Sequence, residues 1–335
     1  MPKMVEFEND VLSAVRQFVH SAHTGGKVVT DISILVDATS HLPLENLDAW
    51  ERLLRWEVYK ALEASKPSKW KFWEQPIPFL TWIDLCSGDG FKREKTLRTL
   101  SGAAPNSFFF ALAVRRLNDW VPQVREAARD KLRDIAKDSD PEIVVDVLCV
   151  ILPHWSSWGR MEDADKQILL GITSIEKVVH SLKSRVISAT SGPMASILAQ
   201  TGRTEILDKY LDEIAKKAIQ PSVRAKAYRC LLEKKMVWFD GRKWKWTDKQ
   251  YCKGRLGPIL CERAISVASP FLETLKRAVR DSSPMVRRVA GEILIQNLNL
   301  IGAESIRLAK LLASDSSPSV AERGRFALDR LGKLS

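Results

Sequence analysis

The stretch Asp281-Ser282-Ser283-Pro284-Met285-Val286-Arg287 is almost repeated 34 residues later as Asp315-Ser316-Ser317-Pro318-Ser319-Val320. A run rich in small residues follows each copy. Weaker copies stand at 119–125 and 221–224, where a proline, a valine and an arginine keep the same spacing. A period in the mid-thirties is typical of solenoids built from stacked helix pairs. The chain is therefore predicted to be all-α.

Each copy carries signals that begin a helix. Asp119, Asp281 and Asp315 can accept hydrogen bonds from the free N–H groups of a first helical turn. The proline three residues later loses no bond at that position. The valine that follows is expected to lie in the core. Arg125 and Arg287 are expected to bridge to the neighbouring repeat.

The repeat pattern is clear over 115–150, 215–235 and 265–333, and it resembles the pattern of HEAT repeats. The resemblance implies a HEAT-like α-solenoid, a superhelix of antiparallel helix pairs. In the last copy Ala321 replaces the arginine, as suits an end repeat that has no further neighbour to bridge.

The N-terminal part of the chain differs from the rest. Residues 1–80 show helical periodicity without the repeat, so we expect an N-terminal helical segment followed by a solenoid over 81–335. A loop that mixes aromatic residues with lysines is predicted at 66–76.

One insertion interrupts the repeats. Pro221 and Pro284 lie 63 residues apart, an excess of about 29 over the next interval, and the surplus falls at about 234–258. There two arms flank Asp240-Gly241, a dipeptide suited to a tight turn, and residues 243–246 alternate lysine with tryptophan. The sequence predicts a small inserted β hairpin with Asp240-Gly241 at its turn.

Composition limits the function. The 335 residues carry a net charge of +11 and a pI near 9.4, which favours a polyanionic partner such as nucleic acid, although the charge could also serve solubility. No apolar run approaches the roughly 18 residues that a membrane span needs, and no secretory signal is visible. We expect no membrane partner.

The cysteines argue for a reducing compartment. They are five in number, widely spaced and without a C-x-x-C pair, and the five histidines do not cluster with them. We therefore expect no disulfide framework, no metal site and a cytoplasmic location.

The hairpin is the first candidate site. Residues 234–255 hold eight basic side chains against two aspartates, a local excess of six. Lysines can bind phosphates, and indoles can stack on bases or wedge a base step. Alternatively, Trp238, Trp244 and Trp246 pin the hairpin onto the solenoid.

The second candidate site is the basic start of a helix at 87–98. Glycines before this helix leave backbone N–H groups free for an anion, and four basic residues follow within two turns. A DNA phosphate could bind here. The alternative is an ordinary solvated helix with Asp89 as its N-cap.

The third candidate site joins indoles and carboxylates at 154–165 and 118–120. Cleavage of an N-glycosidic bond builds positive charge on the sugar, which a carboxylate can stabilise while it orients water. Indole faces can add cation–π stabilisation. Alternatively, the indoles are packing residues and the carboxylates cap a helix.

Together these features resemble the HEAT-like-repeat alkylpurine DNA glycosylases. The resemblance implies a concave face that holds DNA, tryptophans beside an aspartate as the active site, and base excision without metal or cofactor. The Trp-x-x-x-Asp spacing of that family is not reproduced, since Glu162 follows Trp158 at that spacing and Asp163 lies one residue further on.

We therefore expect a monomeric DNA glycosylase that excises a damaged or bulky modified base from double-stranded DNA. The alternative is a non-catalytic HEAT-repeat scaffold that binds nucleic acid or a protein partner. The expected catalytic residues are Asp163, Asp119, Glu162, Trp155, Trp158 and Trp120. The expected DNA-binding residues are Lys92, Arg93, Lys95, Arg98, Arg125, Arg160, Arg242, Lys243, Lys245, Trp244 and Trp246.

Overall fold

The computed structural model describes residues 2–24, 32–64 and 80–333, with side chains from residue 7 in the first range and up to residue 21. The loop predicted at 66–76 lies outside these ranges. Within them, the predicted all-α HEAT-like solenoid with a small β hairpin is confirmed. No helix in these ranges is long and apolar enough to cross a membrane.

Seventeen α-helices are present in the described residues. They are α1 (Pro2–Thr24), α2 (Ser33–Thr39), α3 (Leu47–Ala64), α4 (Gly90–Thr99), α5 (Ser107–Arg115), α6 (Pro122–Asp138), α7 (Pro141–Ile151), α8 (Asp163–Thr173), α9 (Glu176–Ser188), α10 (Met194–Thr201), α11 (Leu211–Lys217), α12 (Pro221–Glu233), α13 (Phe271–Val279), α14 (Pro284–Gln296), α15 (Leu298–Ile301), α16 (Ala303–Ala313) and α17 (Pro318–Gly332).

The helix-start signals of the sequence act as predicted. Helices α6, α12, α14 and α17 each begin at the proline of the repeat. The valine two residues later is fully buried in all four, at Val124, Val223, Val286 and Val320. The repeat therefore sets both the first residue of the helix and its core-facing side.

The aspartates of the repeat accept hydrogen bonds in the turn before the helix, and not from the first helical turn as predicted. Asp281 Oδ1 accepts a hydrogen bond from the backbone N of Ser283 at 2.8 Å, and Asp315 Oδ1 accepts one from Ser317 at 2.8 Å. These bonds close a turn before the helix. The N-cap of α14 is Ser283, whose side chain accepts from the N of Met285.

The arginines bridge to the next repeat, as predicted for Arg287. Its guanidinium donates to both carboxylate oxygens of Asp315, at 2.6 and 3.0 Å. Arg224 holds Asp281 in the same way, at 2.9 and 3.0 Å. Arg287 also donates to the carbonyl oxygen of Asp281, and Arg224 donates to that of Ala218. In each case the carbonyl lies six residues before the arginine. We call these contacts inter-repeat ion pairs.

The chain forms two compact units, and each is described by itself. The first comprises 1–151 and 158–178, and the second comprises 152–157 and 179–335. In the first unit α4 packs on α6 and α6 on α8. In the second α12 packs on α14 and α14 on α17. A boundary near residue 80 stays a prediction.

The inserted hairpin belongs to the second unit. Strand β1 (Lys235–Asp248) pairs antiparallel with β2 (Lys253–Ala264). The predicted turn at Asp240-Gly241 is wrong, because both residues lie within β1 as a bulge between Phe239 and Arg242. The chain reverses at 249–252 instead, so the ribbon is longer than the sequence suggested.

Candidate functional site

Asp119, a predicted catalytic residue, is held by four hydrogen-bond donors in the first unit. Arg93 donates to its two oxygens at 2.8 and 2.9 Å, Arg116 at 3.0 Å, and the backbone N of Val121 at 3.0 Å. Burial raises the pKa of Asp119, but these bonds and charges outweigh it and hold the pKa below its usual value. The arrangement gives Asp119 a structural role.

Arg93, a predicted DNA contact, is the ion-pair partner of Asp119, and we count this contact as a third inter-repeat ion pair. It is only 2% exposed, and it also donates to the carbonyl oxygens of Ser87 and Gly88. Arg93 follows Gly90, the first residue of α4, by the same three residues that separate Arg287 from Pro284. All three of its nitrogens donate to acceptors within the protein.

The carboxylates at the start of α8 also face arginines. Arg125 donates to Glu162 at 3.1 Å, and Arg129 donates to Glu162 at 3.1 Å and to the buried Asp165 at 2.6 Å. Asp165 and Glu162 form the capping box of α8. Asp163 is 95% exposed at its side chain and pairs with Lys166 at 3.1 Å. This segment fits the alternative of a helix cap.

The predicted catalytic indoles have three different environments. Trp120 is 67% exposed, and Trp158 is half-buried. Trp155 is 1% exposed and belongs to the second unit, whereas the predicted carboxylates belong to the first. No single unit therefore holds the whole predicted catalytic set.

The cations predicted to bind DNA at the start of α4 have partners as well. Lys92 pairs with Asp84 at 2.5 Å, and Arg98 pairs with Glu94 at 3.0 Å and with Asp130 at 3.4 Å. Asp89 is the N-cap of α4, as the alternative interpretation had it. Two further predicted contacts, Lys95 and Arg160, are exposed.

The hairpin is anchored at its base by a cluster that the sequence did not reveal. The guanidinium of Arg203 lies 4.7 Å from the ring centre of Trp155 and 5.5 Å from that of Trp238. It also pairs with Asp240 in the bulge at 2.6 Å. Gln200 accepts from the indole of Trp155 at 3.1 Å and donates to β1 at 2.7 Å. For Trp155 and Trp238, packing is the role that this geometry supports.

The second strand has its own anchor. Arg263 donates to both oxygens of Asp208 at 2.7 and 2.8 Å, and the N of Ser266 donates to the same carboxylate at 2.8 Å. Met236 of β1 is fully buried against Gly202, where a Cβ would come within 2.6 Å of its side chain. The base of the hairpin is thus fixed on both strands.

The outer half of the hairpin, residues 242–256, is more exposed than the anchored base. Residues 242–247 and 249–253 are all exposed, and so are Arg255 and Leu256. Side chains alternate between the two faces of a strand, so Arg242, Trp244 and Trp246 share one face and two lysines take the other. This half of the ribbon has surface on both sides.

Most cations of the outer half have no acidic partner among the residues that the structure describes. Lys235, at the base, pairs with Glu262 at 2.9 Å, and Lys253 lies 5.6 Å from the ring centre of Tyr251. Within residues 2–24, 32–64 and 80–333, no carboxylate pairs with the remaining cations of the outer half. These cations are Arg242, Lys243, Lys245, Lys249 and Arg255.

Comparison with known proteins adds one match. Residues 263–294 match a family model described as a HEAT repeat associated with sister chromatid cohesion. The matched residues span the end of β2, α13 and most of α14, the helix pair that contains Asp281 and Arg287. No curated protein matches the chain. The match supports a HEAT repeat in the second unit, and the resemblance to DNA glycosylases finds no support in it.

Proposed function

We propose that the chain is a non-catalytic HEAT-like repeat scaffold that binds nucleic acid through the outer half of its hairpin. The observation that carries the proposal is a group of five exposed cations interleaved with two exposed indoles; in the described part of the chain no carboxylate pairs with these cations. The contacts of Arg203 and Arg263 attach the base of this ribbon to the rest of the second unit.

The chemistry of the ribbon supports nucleic acid as the partner. Lysine and arginine neutralise phosphates and release condensed counterions, and aromatic rings stack on bases. A partner with a regular row of negative charges matches several exposed cations on one ribbon better than an isolated carboxylate does. An acidic protein surface is the competing partner.

Base excision is supported less well by the same geometry. A carboxylate that stabilises a developing sugar cation must face the substrate with its charge uncompensated. Asp119 and Glu162 instead face arginines, and Asp163 is in water beside Lys166. The scaffold interpretation does not need any of these carboxylates to be free.

The test is salt-dependent binding to labelled DNA, single-stranded and duplex, followed by fluorescence anisotropy. The triple variant Lys243→Gln, Lys245→Gln, Arg255→Gln should bind more weakly than the unmodified chain. Its plot of log affinity against log salt should be shallower by about 2 to 3, since each phosphate contact contributes about 0.7 to 0.9. Its free energy of unfolding should stay within about 0.5 kcal/mol of the unmodified chain.

A control variant removes the same charge elsewhere. Lys137, Lys217 and Lys333 are surface lysines paired with acidic residues in helices, and their replacement by glutamine should leave affinity and salt slope nearly unchanged. Equal losses in both variants would mean that net charge alone attracts DNA. Absence of binding by the unmodified chain would reject the proposal in favour of an acidic protein partner. Release of a free base from modified duplex DNA would reject the non-catalytic part.

A further inference from the structure

Two indoles on the hairpin present free faces. Trp244 is 49% exposed and Trp246 is 52% exposed, whereas Trp155 at the base of the hairpin is 1% exposed. They lie on the same face of β1 with ring centroids 5.6 Å apart and ring planes at 82°. Edge-to-face packing fixes one ring against the other and leaves ring surface open to a ligand.

The first of these rings is also supported from below. Trp244 lies over Gly254 of β2, where a Cβ would come within 2.5 Å of the ring atoms Cε2 and Nε1. Only a glycine allows the indole to lie this close to the neighbouring strand. The ring is therefore positioned before any ligand binds, which reduces the entropy lost on stacking.

Cations lie on both faces of the ribbon that carries the two rings. Arg242 shares their face by strand alternation, and Lys245 lies opposite Arg255 on the other face. At the tip Tyr251 is 65% exposed. Phosphates of a strand whose bases reach the indoles would thus pass close to positive charge on either side of the ribbon.

We propose, on the basis of the nucleic-acid binding proposed above, that the hairpin binds a single strand, with unpaired bases stacked on Trp244 and Trp246. In a duplex each base face is covered by the next base pair, and an indole reaches it only by unstacking a step at an energetic cost. A single strand offers its base faces freely, and stacking on aromatic side chains tolerates every base.

The experiment compares oligothymidylate, oligouridylate and a duplex of equal length with the full chain. The double variant Trp244→Ala, Trp246→Ala should bind both single strands more weakly, by about 5-fold to 150-fold for each stacked base. Its salt slope should stay unchanged because no cation is lost. Duplex binding should change little.

Two further variants distinguish stacking on the hairpin indoles from other effects. Gly254→Ala displaces the Trp244 ring and should weaken single-strand binding while every charge and both indoles remain. Trp56→Ala removes an indole of similar exposure, 56%, which also lies beside a lysine, and should have no effect.

The outcomes separate this inference from the proposed function. Tighter binding to duplex than to single strands, with the indole variant unaffected and the triple cation variant impaired, would overturn the single-strand inference alone. Failure of the unmodified chain to bind any of the three nucleic acids would overturn both. Equal weakening by Trp56→Ala and by the double variant would also count against stacking on the hairpin.

Discussion

The arginines of the inter-repeat ion pairs and the cations of the outer hairpin differ in what surrounds them. Arg93 is 2% exposed and donates through all three of its nitrogens, and the side chain of Arg287 is 16% exposed with both oxygens of Asp315 as acceptors. Lys243 and Lys245 are exposed and without an acidic partner in the described ranges. The positive net charge thus comes from two kinds of basic side chain. One kind is paired inside the fold and stabilises it, and the other is exposed to solvent on the hairpin.

The difference matters because the two kinds of basic side chain predict opposite effects of substitution. Removing one partner of a buried pair leaves an uncompensated charge inside the protein and destabilises it. Removing an exposed lysine changes stability little but reduces attraction for an anion. Stability and affinity measurements together therefore distinguish them.

The largest expected effect is on Asp119. Asp119→Asn removes the negative charge that faces the buried Arg93 and Arg116, so the free energy of unfolding should fall by about 3–5 kcal/mol in urea denaturation. The matched control is Asp163→Asn, at a side chain that is 95% exposed, which should stay within about 0.5 kcal/mol of the unmodified chain. Equal stability of the two variants would show that the charge of Asp119 does not stabilise the fold.

A second prediction concerns Arg203, the residue that joins the helices of the second unit to the hairpin. Arg203→Met keeps the apolar bulk but loses the ion pair with Asp240 and the cation–π contacts with two indoles. The hairpin base should lose about 2 kcal/mol of local stability, seen as faster hydrogen exchange of peptides from β1 and β2. Protection in α12 and α14 should not change.

The control for this variant is an arginine of β1 itself. Arg242→Met removes an exposed arginine that has no acidic partner in the described residues, so exchange in β1 and β2 should match the unmodified chain. If Arg203→Met gave the same exchange pattern as Arg242→Met, the base of the hairpin would not depend on the Arg203 cluster.

The sequence was sufficient to predict the structure of the repeats because the signals that define them lie close together in the chain. Proline, valine and arginine keep a fixed spacing, and this spacing alone predicts the helix start, the buried side and the bridging arginine. The same spacing from Gly90 could have identified Arg93 as a bridging residue. It was missed because glycine stands where the other repeats have proline, and the surrounding positive charge suggested a phosphate site instead.

In the hairpin, local sequence signals do not predict the position of the turn or the contacts at its base. Asp240-Gly241 favours a tight turn, but a glycine with φ of +114° serves a bulge equally well, and the long ribbon needed a bulge there. The true turn contains Cys252 at φ 51°, a residue type that gives no turn signal. The contact between Arg203 and Asp240 joins residues 37 apart and has no sequence signature.

The smallest expected effect is in the acid range and tests whether Asp119 is charged in the folded protein. Its pKa is held below the usual value of about 3.9, so at pH values between the folded and the unfolded pKa the unfolded chain binds more protons at this carboxyl than the folded chain does. The contribution of Asp119 to stability is therefore complete above about pH 4 and is lost as the pH falls through its lower folded value. Stability of the unmodified chain should fall faster with decreasing pH than that of Asp119→Asn, by up to about 1.4 kcal/mol per pH unit.

The measurement is urea denaturation of both proteins at a series of pH values below about 5, at fixed ionic strength. The variant Lys243→Gln, Lys245→Gln removes no acidic group, so its curve should run parallel to that of the unmodified chain. Parallel curves for Asp119→Asn and the unmodified chain would show that the folded and unfolded states bind the same number of protons at Asp119. In that case the arginines around Asp119 would not hold it as an anion, and the contrast between the inter-repeat ion pairs and the hairpin would lose its electrostatic basis.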